Sequence, residues 1–140
     1  MTAKHFLDTN ILVYADDIDA GAKQEVAIGI IEESIRQGSG VVSTQVFQEY
    51  FVNATGKLGL QPDLVRRRIE LMCSLDVTRI RVEDILDAID LHRLHQLSLW
   101  DGLIVTCAAA SGCTKILTED LQHGQVLAGV KIENPFRDIE

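Results

Sequence analysis

The spacing of apolar and polar positions changes several times along this chain, and each change marks an element. Residues 4–8 form a short strand-like run that ends at Asp8, and a brief helix pattern follows from Asn10 to about Asp16. Residues 21–37 predict an amphipathic helix with Val26, Ile30, Ile31 and Ile35 on one face. Gly38 and Gly40 stop it, and the VVS run around residues 42–43 reads as a brief buried strand. From Thr44 to Lys57, Val46, Phe47, Tyr50, Phe51 and Ala54 fall at helical spacing. Pro62 suits a first helical turn, and the pattern continues from Asp63 to about Leu75. Residues 76–81 read as a strand, and Val82, Ile85, Leu86 and Ile89 open a further helix at i, i+3, i+4, i+7. Ser98 predicts the N-cap of a nearly all-apolar helix over 100–111, which suits a central position. Gly112 ends that helix, and strands follow at 114–118 and 130–132.

Strands that alternate with helices predict an α/β domain. Right-handed crossovers make it a three-layer α/β/α arrangement around a mainly parallel sheet. No repeat, linker or low-complexity tract interrupts residues 1–140, so one domain is expected over the whole length.

Composition narrows the setting. Apolar residues make up 46% of the chain, enough for a real core, and no apolar stretch reaches the length of a membrane span. The N-terminal residues enter a strand almost at once, which leaves no room for a secretory signal. Cys73, Cys107 and Cys113 are odd in number and form no CxxC pair, so buried thiols in a reduced cytoplasm are expected rather than disulfides or a zinc site. A net charge of −8 argues at first against a nucleic-acid partner. The argument weakens once charge is located. Between Lys57 and Arg81 six Lys/Arg face three Asp/Glu, a local balance of +3. A bound divalent cation would also reverse the field at an acidic site.

Such an acidic site is the main chemical expectation. Asp8, Glu49, Asp101 and Asp120 each stand where an apolar run meets the start of a helix pattern. An alternating strand–helix chain gathers such positions along one edge of a parallel sheet, where folds of this kind build their sites. Carboxylates crowded there repel one another unless a cation sits among them, and hard divalent cations prefer oxygen ligands. Each acid also has a plainer reading. Asp8 caps the helix that follows it, Asp101 lies three residues after Ser98 in a variant capping box, and Asp120 or Glu119 does the same for the next turn. Glu49 is past its first helical turn and adjoins apolar positions, so capping explains it less well. Thr9, Asn10, Ser98 and Thr118 are small polar neighbours that can bond the carboxylates, hold metal-bound waters or cap helices.

Four segments, FLDTNILVYA, QEYF, LSLWDGLIVTCA and ILTEDL, occur in an order and at gaps that resemble a PIN domain, most like the VapC-type toxins of toxin–antitoxin pairs. The likeness covers nearly the whole chain. It implies a metal-dependent endoribonuclease that hydrolyses RNA phosphodiester bonds with one or two Mg²⁺ or Mn²⁺ ions and leaves a 5′-phosphate and a 3′-hydroxyl. By this resemblance Asp8, Glu49 and Asp101 match the main metal-binding acids and Asp120 the fourth, more variable one. Thr9 and Asn10 match the polar pair after the first Asp. Glu119 adjoins the fourth acid and leaves open which of the two faces the site. The resemblance further implies a homodimer and a cognate antitoxin that fills the acidic groove.

Other residues carry weaker expectations. Arg66, Arg67 and Arg68 run along a helix and either contact RNA phosphates or form a solvated face. Trp100, the only tryptophan, suits a core or dimer-interface role better than base stacking. His92 and His95 lie i, i+3 without a matched third ligand, which favours a surface helix; His5 and His123 have no assigned role. Gly56, Gly59 and Gly102 make no phosphate loop. Two other functions compete. A phosphohydrolase with Asp8 as nucleophile usually wants a second acid two residues on, where Asn10 stands. A non-catalytic module, either receiver-like or an antitoxin-binding dimer, is the other.

Overall fold

The computed structural model describes residues 3–139. In chain order the elements are β1 (His5–Leu7), α1 (Thr9–Asp16), a single 3₁₀ turn at Ile18–Ala20, α2 (Ala22–Gln37), β2 (Gly40–Ser43), α3 (Thr44–Gly56), α4 (Pro62–Met72), β3 (Asp76–Thr78), α5 (Val82–His95), α6 (Leu99–Ala110), β4 (Lys115–Leu117), β5 (Val126–Leu127) and β6 (Val130–Glu133). The six strands form one sheet in the order β3-β2-β1-β4-β6-β5. All neighbours are parallel except β5, which runs antiparallel to β6. Helix α1 packs on both α2 and α3, α3 packs on α4, and α5 packs on α6. Consecutive strand residues such as Val41 and Val42 are both buried, as expected of a sheet covered on both faces.

The sheet order places the site. From β1 the chain winds outward through β2 and β3, then crosses back to lay β4 on the other side of β1. The β1–β4 boundary is therefore the topological switch point, where the connections after neighbouring strands diverge and leave a crevice beyond their C-terminal ends. Asp8 directly follows β1, and Thr118 to Asp120 directly follow β4.

Local chemistry explains most boundaries. Asp8, Ser43 and Ser98 each cap the next helix with a side-chain oxygen. Pro62 opens α4, and Gly38 closes α2 in the left-handed conformation. The strand read over 76–81 is shorter than expected. It leaves the sheet after Thr78, because Arg81 becomes the N-cap of α5 in a reciprocal pair with Asp84. Helix α4 likewise stops at Met72, short of Leu75. The two-residue strand β5 gave no periodic signal. It joins β6 through Ala128 and Gly129, both at positive φ, as a tight hairpin needs, and alanine is not an expected turn residue there.

Helix α5 shows a larger departure. Its apolar stripe of Val82, Ile85, Leu86 and Ile89 lies in solvent, while Ala88 and the 2%-exposed Asp84 face inward. The cause is a close helix crossing. A Cβ at Gly102 of α6 would stand 2.8 Å from the Ala88 carbonyl oxygen, so only small residues fit at the contact. Gly102 thus serves packing, in keeping with its having no part in a phosphate loop.

Candidate active site

The four acids arrive at one cavity of about 280 Å³ from four different elements. Asp8 comes from the end of β1, Glu49 from the middle of α3, Asp101 from the first turn of α6, and Asp120 from the segment after β4. Asn10, Gln45, Asn53, Lys57, Trp100 and Glu119 also line it. The volume is several times the roughly 30 Å³ share of one liquid water, so a hydrated ion together with a phosphate group fits.

Small polar side chains hold the carboxylates in register. Thr118 Oγ1 donates to Asp8 Oδ2 at 2.8 Å, and the Thr9 amide donates to Asp8 Oδ1 at 2.7 Å. Thr9 Oγ1 donates to Glu49 Oε1 at 2.9 Å, which ties α1 to α3. Asn10 Nδ2 donates to Thr118 Oγ1 and to Asp120 Oδ2, both at 3.1 Å. The Asp120 amide returns a bond to Thr118 Oγ1 at 3.0 Å. Thr9, Asn10 and Thr118 therefore link acids to one another, beyond capping helices. Ser98 acts differently: its Oγ accepts from the Asp101 amide at 3.0 Å and fixes the turn that carries Asp101. Asp8 caps α1 as well, so the plain and the functional reading hold together at that residue.

Electrostatically the site is strained by design. Asp8 is 5% exposed, and no Lys or Arg pairs with any of the four acids among the described residues. Burial pushes the Asp8 carboxyl up to about 7; the Thr118 and Thr9 hydrogen bonds oppose the rise, and the charges on Asp120 and Glu49 add to it. The Asp101 carboxyl is also raised, first by burial and less by Asp120, with Ser98 opposing. Glu119 has its own cation. Lys23 Nζ lies 3.0 Å from Glu119 Oε2, and Tyr14 OH donates to Oε1. Asp120 instead bonds Asn10 inside the acidic group, which separates the two neighbours by partner.

A divalent cation fits this donor set. All the available atoms are hard oxygens, and two of them, Asn10 Oδ1 and Gln45 Oε1, are buried acceptors without a donor. Yet among the described residues no three His, Cys, Asp or Glu side chains converge into a ready ligand cluster. The threonine and asparagine bonds link the acids to one another instead.

Several singled-out residues lie elsewhere. Arg66, Arg67 and Arg68 do not line the cavity; Arg66 pairs with Glu70 in solvent, and Arg68 pairs with Asp16. His92 and His95 are exposed on α5, and His92 bonds the Leu97 carbonyl. His5 bonds Ser34, and His123 accepts from the Asn134 amide. Trp100 is 60% exposed, which removes a core role. Gln45, Asn53 and Lys57 gave no separate signal in sequence, yet with Glu49 they recur every fourth residue and so share one face of α3. Gln45 Nε2 bonds both the Trp100 carbonyl at 3.2 Å and Glu49 Oε1 at 3.3 Å, joining α3 to the start of α6.

An acid-lined crevice thus lies at the switch point of a mainly parallel sheet. The PIN domain family model matches residues 5–126, and the chain belongs to that family. Solved structures share the fold. A toxin–antitoxin complex from Klebsiella pneumoniae superposes with a TM-score of 0.68 at 18% identity, over 94% of this chain and 98% of that one. DNA-bound VapBC from Salmonella typhimurium gives 0.65 at 19% identity, over 96% and 99%. A Mycobacterium tuberculosis VapC toxin described as cleaving the sarcin–ricin loop gives 0.63 at 14% identity, over 81% and 87%. None of the curated proteins matches the chain in sequence. No helix among the described residues is long and apolar enough to cross a membrane.

Proposed function

We propose that this protein is a divalent-metal-dependent endoribonuclease, the toxin of a type II toxin–antitoxin pair. The observation that carries the reading is Asp8, a buried carboxylate at the switch point with only neutral hydrogen-bond partners and three further acids around its cavity. Membership in the PIN family and the shared fold with toxins of known complexes support it.

On this reading Asp8, Glu49 and Asp101 hold one or two Mg²⁺ or Mn²⁺ ions, and Asp120 completes the set. When bound, the metal would supply a Lewis acid that lowers the pKa of water and neutralises charge on the transferring phosphate and leaving oxygen. The chain's own residues then position the reaction. Thr118 and Thr9 fix the Asp8 oxygens. Gln45 sets Glu49 against the turn that carries Asp101. Asp120, exposed and bonded through Asn10, orients the attacking water or takes its proton. In-line attack at phosphorus breaks the bond to the 3′ oxygen and leaves a 5′-phosphate and a 3′-hydroxyl. A homodimer, a cognate antitoxin and a cytoplasmic setting belong to the same reading, and the last fits three cysteines that are all free thiols.

The test is cleavage of structured RNA by the purified, antitoxin-free chain with Mg²⁺ or Mn²⁺. Cleavage is expected, and Asp8→Asn and Asp101→Asn should each abolish it. A full rate from Asp101→Asn would remove the site assignment. Phosphate trapped on Asp8 would mark a phosphohydrolase, although burial and hydrogen bonds to both Asp8 oxygens disfavour nucleophilic attack. Partner binding without any chemistry would mark a non-catalytic module.

A further inference from the structure

We infer that Trp100 and the recess beside it form a stacking platform for one unpaired nucleobase of the RNA whose phosphate enters the acidic pocket. The inference rests on the ribonuclease reading and adds a base-binding residue beside the acidic pocket.

Trp100 is 60% exposed at the first turn of α6, immediately before Asp101. A shallow recess lined by Gln45, Gln48, Glu49, Val52, Asn53 and Trp100 lies against it. Four of these residues, Gln45, Glu49, Asn53 and Trp100, also line the acidic pocket, so the two cavities adjoin. The recess wall combines an indole face, the exposed Val52 side chain and amide groups from α3. A flat base has both an apolar face for the indole and polar edges for such amides. Gln45 supplies an independent sign. It is almost fully buried, lines both cavities, and its Oε1 has no donor, while its Nε2 holds the Trp100 carbonyl at 3.2 Å. Trp100 is thus anchored at its backbone carbonyl and largely exposed.

A base is the fitting occupant because the recess shares four lining residues with the pocket that this reading assigns to the scissile phosphate. A base inside a duplex is stacked already and cannot reach the indole, hence the restriction to unpaired nucleotides.

Trp100 is the only tryptophan, so its emission reports this position alone. The experiment titrates the intact protein, with Mg²⁺, with a nuclease-resistant phosphorothioate oligoribonucleotide, an abasic strand of equal length and a blunt RNA duplex. The unstructured strand should quench the emission, and the other two should not. Trp100→Ala should weaken the strand's affinity roughly ten- to a hundred-fold and Trp100→Phe much less, as stacking on an aromatic face requires. Equal affinity for the abasic strand, or no quenching, would overturn the platform even if RNA is cleaved. A protein-concentration-dependent emission change without RNA, together with self-association in sedimentation, would also overturn it and make Trp100 part of an interface between copies. Conversely, quenching by the strand with no cleavage of any RNA leaves the platform standing and removes the ribonuclease reading.

Discussion

Helix α1 has an aspartate at each end whose side chain is largely shielded from solvent, and the two differ in what surrounds them. Asp16, at the C-terminal end, has a side chain only 5% exposed, but Arg68 of α4 pairs with it and Tyr50 of α3 donates to it. Asp8, at the N-terminal side, is buried and receives only a hydroxyl and a backbone amide. Both ions have lost water. One regains a counter-charge from the fold, which turns it into a clamp between α1, α3 and α4. The other has no counter-charge among the described residues, and burial raises its carboxyl to about 7, with Asp120 and Glu49 adding to the rise. A buried acid without a counter-charge among the described residues is where a bound cation would have the largest effect.

The sharpest way to break this contrast is to neutralise each acid in turn. Asp8→Asn should lower metal-dependent RNA cleavage by roughly a thousandfold or more, since it removes a metal-side charge while keeping the shape. The ion-free fold should be no less stable at pH 8. Asp16→Asn should do the reverse, costing stability and leaving the turnover of the folded fraction within a few-fold. Equal losses of turnover in both variants would erase the distinction. Next in size is the response to metal. Mg²⁺ at a hundred times its dissociation constant should stabilise the wild-type protein by about 2.7 kcal/mol, measurable as a rise in thermal midpoint. Asp16→Asn should keep that increment and Asp8→Asn lose most of it. Third, Arg68→Met strips Asp16 of its cation. Breaking a buried pair costs roughly 3–5 kcal/mol, and because Arg68 is 42% exposed about 2 kcal/mol is expected, read by urea unfolding. Its affinity for RNA should not change, which also tests whether Arg68 belongs to a phosphate-binding face.

The Asp8 end of this contrast was legible in the sequence and the Asp16 end was not. FLDTN announces a strand, an acid at its end and a helix cap, because each is a local signal with a local cause. The gathering of Asp8, Glu49, Asp101 and Asp120 at one edge follows from strand–helix alternation, and the cavity contains all four. What stayed hidden is what depends on long-range partners. The Asp16–Tyr50–Arg68 clamp joins three helices across as many as 52 positions, and nothing near Asp16 marks it. For the same reason three consecutive arginines were read together, as a phosphate-contacting or a solvated face, although Arg68 pairs with a carboxylate across the fold. Helix α5 was legible as a helix, but its periodic face pointed away from the core, because small residues at Ala88 and Gly102, a pattern without hydrophobic periodicity, set the crossing. The bridging was the other surprise. Crowding around a cation was expected, but among the described residues no three acids form a ready ligand cluster, and Thr9, Asn10 and Thr118 join the carboxylates through hydrogen bonds.

Thr118 gives the finest test, because it acts on one protonation state of Asp8 only. In the ion-free protein the folded Asp8 carboxyl titrates near 7, against an ordinary value of 3.8. Between those values the folded state holds a proton that the unfolded chain has released, so stability falls as pH rises through this window and levels off above it. The Thr118 hydroxyl opposes that fall by donating to the ionised carboxylate. Thr118→Val keeps the volume but removes the donor, so the Asp8 carboxyl should rise further. The variant should lose about 1–2 kcal/mol relative to wild type at pH 8, the worth of a hydrogen bond to a charged group. At pH 4, where Asp8 is protonated in the folded state, the loss should be clearly smaller. Urea unfolding in chelator at the two pH values measures both, with Asp8→Asn, which has no such slope, as the reference. If Thr118→Val cost the same at pH 4 and pH 8, the hydroxyl would be supporting the strand end rather than the charge. The contrast between the two ends of α1 would then lose its electrostatic basis.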